Sequence, residues 1–139
     1  MGHFTLIEHT ADAGIQVEAC SLKDLFHTAA QGMIHLVCPH GRTAQTEIHS
    51  ITVCGEDPAE LLVNWLSELN YLFQVEQFLF AELHHFEIIS NRLSTTVGGE
   101  RIDPLRHPLR AEIKGVTYHK MNVEQITPGK WHALLYFDL

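Results

Sequence analysis

Disulfide chemistry is the first thing this sequence lacks. Cys20, Cys38 and Cys54 are odd in number, scattered and never spaced as C-x-x-C. Reduced structural thiols are expected, not a disulfide framework or a zinc site. Nor does any apolar stretch approach the roughly 20 residues needed to cross a bilayer. The N-terminal region shows no basic segment followed by an apolar one, so no signal peptide is expected. Met1-Gly2 opens like a myristoylation signal, but Leu6 stands where Ser or Thr is required. The expectation is a cytoplasmic protein with no membrane association. Positive charge is scarce too: 9 Lys and Arg face 17 Asp and Glu, a net charge of -8. Without a Lys/Arg cluster, direct nucleic-acid binding is not expected. An acidic surface suits a basic protein partner, or a carboxylate site that takes a cation. Catalytic signatures are missing as well: there is no G-x-S-x-G, no phosphate-cradling glycine loop and no H-E-x-x-H. The cysteines lie in no electropositive setting that would make a nucleophile. A nucleophilic enzyme is therefore poorly supported.

What is present is a globular composition. The 139 residues are 45% hydrophobic and 19% charged, enough to bury a core as one domain spanning 1–139. Phe4 to Glu8 and Gly14 to Ala19 read as short strands around a polar His9–Asp12 loop. Ser21 then reads as an N-cap, and Leu22, Leu25, Phe26, Ala29, Met33, Leu36 and Val37 recur at helical spacing up to Pro39. Glu47 to Cys54 alternates as a strand. Asp57 caps a second helix with Pro58 at its first position and Glu60 completing the box. Leu61, Leu62, Trp65, Leu66, Leu69, Leu72 and Phe73 make that helix broadly apolar on one side, as a helix lying across a sheet requires. From Phe78 the period becomes two, with strands expected at Leu79–Glu87, Arg92–Val97, Ala111–Tyr118, Met121–Ile126 and Trp131–Phe137. Gly98-Gly99-Glu100-Arg101 is expected to form a turn, and Thr127-Pro128-Gly129-Lys130 a hairpin. This pattern predicts an α+β fold: a two-layer arrangement of a mostly antiparallel sheet with two main helices packed on one face.

Candidate chemistry centres on the sequence ends. The apolar run Trp131–Phe137 stops at Asp138-Leu139, which sets the Asp138 carboxylate beside a terminal one. Either these last residues simply extend into water, or the paired carboxylates form a hard-oxygen cluster suited to Mg²⁺, Ca²⁺ or Mn²⁺. Asp12, in the loop before Gly14, is either a further ligand or the acceptor of an Asx-turn. His9 in the same loop could be a ligand, a donor to Asp12 or a surface residue. Lys114, in Ile113-Lys114-Gly115-Val116-Thr117-Tyr118-His119, either points into solvent or steadies carboxylates or a phosphate. Glu68 falls near the edge of the second helix's apolar stripe, where it could reach a metal or simply extend to water. Eleven histidines are spread along the chain. Glu82 and His85, three apart in a strand-like segment, should face opposite sides, which makes their proximity accidental.

Five separate blocks resemble the archease family, in the family's order and over essentially the whole chain. They are Glu8-His9-Thr10-Ala11-Asp12 with Gly14-Ile15; Leu61-Leu62-Val63-Asn64-Trp65-Leu66-Ser67-Glu68-Leu69; Gly99-Glu100-x-x-Asp103 with His107; Ile113–His119; and Phe137-Asp138-Leu139. The resemblance implies an accessory protein for the RtcB-type RNA ligase in tRNA splicing and RNA repair. Such a protein promotes GTP-dependent guanylylation of the ligase histidine and multiple turnover. It also implies a metal site at Asp12, Asp138 and the Leu139 carboxylate, with Lys114 as a further functional position. Lys114-Gly115-Val116-Thr117 departs from the family's usual Lys-Ala-Val-Thr by one small residue. Two rivals come from other classes. A chaperone-like interaction module would depend on apolar surface, and a metal-dependent phosphohydrolase would need a general base and an anion cradle that the sequence does not display.

Overall fold

A computed structural model of the chain describes residues 2–8, 12–39 and 43–139. Its elements run β1 (His3–Glu8), β2 (Asp12–Ala19), α1 (Leu22–Val37), β3 (Glu47–Cys54), α2 (Pro58–Gln74), β4 (Phe78–Ile89), β5 (Arg92–Arg101), β6 (Gly115–Thr127) and β7 (Lys130–Asp138). Both helices start where local chemistry says they should. Ser21 Oγ accepts the Asp24 N–H at 3.1 Å, and Asp57 Oδ1 accepts the Glu60 N–H at 2.8 Å. Each supplies one of the acceptors that a helix N-terminus needs. Glu60 reaches back to the Glu56 N–H at 3.2 Å, one residue earlier than in a standard capping box.

The α+β architecture and the two helices match the sequence expectation, but the strands divide into two antiparallel sheets rather than one. One has the order β1-β2-β7-β6 and the other β3-β5-β4. Helix α1 packs on β1, β2 and β7 of the first sheet and on β4 of the second, while α2 packs on β6, β3 and β4. The helical layer is therefore common to both sheets. Trp65 sits at its centre, fully buried. Its indole N–H donates to the Phe26 carbonyl at 3.0 Å, which satisfies the one polar atom that burial would otherwise penalise. Its ring meets Phe80 edge-on. Ile15, Val17, Leu25, Leu61, Leu79, Leu93, Leu135 and Phe137 belong to the same continuous core.

Three local expectations need correction. Gly98–Arg101 is not a turn but the end of β5. The turn joining β4 to β5 is Ser90-Asn91, both at positive φ (50° and 60°), which is the two-residue hairpin geometry that matches strand twist. Met121–Ile126 and the expected strand before it form one strand, β6, whose pairing with β7 breaks register between Thr117 and Asn122. Ala111–Lys114 lies outside that strand, in a connector that runs from residue 102 to residue 114 with neither helix nor strand. The Thr127–Lys130 hairpin forms as expected, with Gly129 at φ 79°.

Candidate functional site at the end of the four-stranded sheet

Alternation along β7 fixes the site. Ala133, Leu135 and Phe137 are fully buried in the core, so Tyr136 and Asp138 stand on the opposite face. On β2, Ala13, Ile15, Val17 and Ala19 are buried, which leaves Gly14 and Gln16 on the non-core side. Strands β2 and β7 are antiparallel neighbours, and their register makes Asp12 the direct partner of Asp138 and Gly14 the partner of Tyr136. Directly opposed residues lie about 4.5–5.5 Å apart at Cα, and like charges in such positions are destabilising. A third strand joins the same row. Gly115 at the start of β6 pairs with Asp138, and the Lys114 N–H donates to the Asp138 carbonyl at 2.8 Å. Three segments distant in sequence thus deliver Asp12, Asp138 and Lys114 to one sheet end.

Asp138 and Lys114 are exposed, and Leu139 follows β7 directly with 41% exposure. His9 lies outside the described residues, as do the side-chain contacts of Asp12. Glu68 is half-buried on α2. At 100° per residue it falls on the flank of Asn64, whose amide donates to the Cys54 carbonyl of β3 at 2.6 Å. Asn70 and Gln74, on the other flank, face the Ile113 carbonyl beside Lys114. Among the described residues, no three His, Cys, Asp or Glu side chains converge as a metal cluster. Glu82 and His85 take separate partners, His27 at 2.8 Å and Glu87 at 3.5 Å, so their closeness in sequence has no joint role.

Residue reasoning missed the second row of the site. Tyr136 is buried to 8% exposure although it faces away from the core, and Gly14 makes room for it. A Cβ at Gly14 would lie 2.9 Å from the Tyr136 ring. Beside Asp138, a Cβ at Gly115 would meet nothing within 4 Å, so the β6 side of the acid is open. Both glycines could have been noticed from their spacing to Asp12 and Lys114, but only the register shows what they accommodate.

The Gly99-Glu100-x-x-Asp103…His107 block builds something else. Glu100, 5% exposed, accepts the Ala44 N–H, pairs with Arg106 and lies 3.5 Å from His107 Nε2. His107 Nδ1 accepts the Asp103 N–H at 2.9 Å, which assigns the proton of the neutral ring to Nε2, on the Glu100 side. With both oxygens engaged by these groups, Glu100 latches the connector to β5.

The fold is that of a small two-helix α+β protein whose strand register pairs Asp12 with Asp138 at one sheet end, with Lys114 next to the same row. The chain belongs to the archease family: the model of the Archease protein family (MTH1598/TM1083) matches residues 4–139. It is 35% identical to the archease of Methanopyrus kandleri over 136 residues, 96% of each chain. The solution structure of Methanobacterium thermoautotrophicum protein 1598 superposes with a TM-score of 0.81 at 28% identity over 98% of both chains. The crystal structure of an archease from Thermotoga maritima, described there as a possible chaperone, shares the fold with a TM-score of 0.64. It is 19% identical and covers 96% of this chain and 94% of its own.

Proposed function

We propose that this protein activates an RtcB-type RNA ligase in tRNA splicing or RNA repair, by promoting GTP-dependent guanylylation of the ligase histidine. The carrying observation is the direct pairing of Asp12 with Asp138. Two like charges opposed across a ladder cost stability, and a divalent cation between carboxylate oxygens turns that cost into binding. Asp12, Asp138 and the Leu139 carboxylate would hold the ion, and their all-oxygen chemistry fits Ca²⁺, Mg²⁺ or Mn²⁺. Such an ion supplies charge compensation to the phosphates of GTP. Lys114 adds a cation that steadies a phosphate or holds the carboxylates in place. The net charge of -8 suits a basic, RNA-binding partner. GTP is thus met through the ligase, and no direct contact with RNA is invoked.

The test is multiple-turnover ligation with Asp12→Ala and Asp138→Ala protein. Each is expected to lower stimulation by at least about tenfold, the scale of losing one charge-assisted contact. Undiminished stimulation by both would end the proposal. A chaperone-like reading draws on the exposure of Leu105 (94%) and Leu109 in the connector. It requires the opposite pattern: insensitivity to the acids and dependence on those leucines.

A further inference from the structure

We infer that Asn70 and Gln74 are positioning residues for Lys114, an inference that rests on the functional reading of the sheet end given above. The peptide unit between Ile113 and Lys114 is gripped from both sides. Its carbonyl oxygen accepts Asn70 Nδ2 at 2.9 Å and also Gln74 Nε2. Its N–H donates to the Asp138 carbonyl at 2.8 Å. A carbonyl oxygen has two lone pairs, and here two side-chain amides take them. Asn70 and Gln74 are four residues apart on α2 and so lie on one flank. Gln74 Nε2 is also 3.3 Å from Asn70 Oδ1, which ties the two amides to each other and sets which way each one faces.

A peptide unit is planar. Holding its C=O against α2 and its N–H against β7 therefore fixes the plane and the direction in which the Lys114 Cα leaves it. The grip comes where no ladder holds the chain, since 111–114 belongs to no strand. Ile113 is fully buried while Lys114 is exposed, so the anchored plane is also the step from core to surface. A lysine side chain keeps four rotatable bonds of freedom. What α2 determines is the root from which that side chain departs. In this way α2 sets the backbone geometry at Lys114, next to the strand pair that carries Asp138.

The test pairs amide exchange with epistasis. In Asn70→Asp/Gln74→Glu protein, similar in shape but with acceptors in place of donors, the Lys114 amide should exchange about tenfold faster by NMR. Amides of Ile15 and Leu135 in the core should be unchanged. Stimulation of the ligase should fall several-fold, and should fall no further when the same pair is introduced into Lys114→Ala protein. Should the charged pair disturb folding, the single variants Asn70→Ala and Gln74→Ala, each leaving one donor, are expected to give smaller shifts in the same direction. An unchanged Lys114 amide, full stimulation by the amide variants, or an equal further loss in the Lys114→Ala background would overturn the inference alone. Full stimulation by Lys114→Ala itself would instead overturn the role of Lys114 at the sheet end, and the inference with it.

Discussion

Gly99 shows how little space the second sheet leaves at its centre. A Cβ there would overlap the Leu79 carbonyl oxygen and come within 2.7 Å of the Phe78 ring. Both neighbours are fixed in β4, so neither can yield cheaply. Gly99→Ala is expected to cost about 1–3 kcal/mol by overpacking, a drop of about 4–12 °C in thermal midpoint by calorimetry. Gly115→Ala, where a Cβ meets nothing within 4 Å, is expected to stay within about 0.5 kcal/mol of the parent. Equal losses at the two positions would contradict the packing assigned to β5. The same residue explains a misreading of the sequence. A turn and a close backbone approach both select glycine, so Gly98-Gly99 carries no mark that separates them. Ser90-Asn91, which does turn, advertises itself less. The candidate residues are marked more openly in the sequence: Asp12 and Asp138 border apolar runs, and Lys114 interrupts one. Their partnership becomes visible only through register, which depends on β2 and β7 being neighbours.

Among the elements, both helices are legible almost to the residue, because caps and apolar periodicity are local signals. The connector from 102 to 114 is not. Buried Ile113 imitates strand alternation, yet its carbonyl goes to side chains of α2 and not to a ladder. The segment is instead tied at separate points: the Ile102 N–H to the Gln77 carbonyl at 2.7 Å, the Arg110 N–H to the Val37 carbonyl at 2.8 Å, and Arg106 and His107 to Glu100. Isolated ties open more easily than a continuous ladder. Glu100→Leu removes the shared acceptor and leaves the Ala44 N–H and the buried His107 ring without it. Limited trypsinolysis should then cut after Arg106 or Arg110 about tenfold faster, as expected when local opening becomes easier by roughly one hydrogen bond. Cleavage at the parental rate would mean that the latch does not hold the connector.

For the molecule as a whole, the question is how two sheets with no shared strand behave as one body. Among the described residues, no backbone ladder joins β1-β2-β7-β6 to β3-β5-β4. Coupling must pass through the apolar faces of α1 and α2, each of which packs on strands of both sheets. The core cluster is continuous across that layer, from Ile15, Leu135 and Phe137 on one side to Leu79, Leu93 and Val97 on the other. Removing either sheet would expose part of each helix's buried stripe, so neither sheet with the helices should persist alone. One cooperative transition over 1–139 is the expected outcome. Trp131→Phe leaves Trp65, fully buried in the helical layer, as the sole indole. Its fluorescence and the far-UV circular dichroism of the whole chain should then give coincident urea midpoints with a single slope. If the dichroism lost part of its signal at lower urea while Trp65 stayed buried, one sheet would be unfolding on its own. The helices would then belong to the other sheet, and an acidic sheet end could be detached from the second sheet without loss.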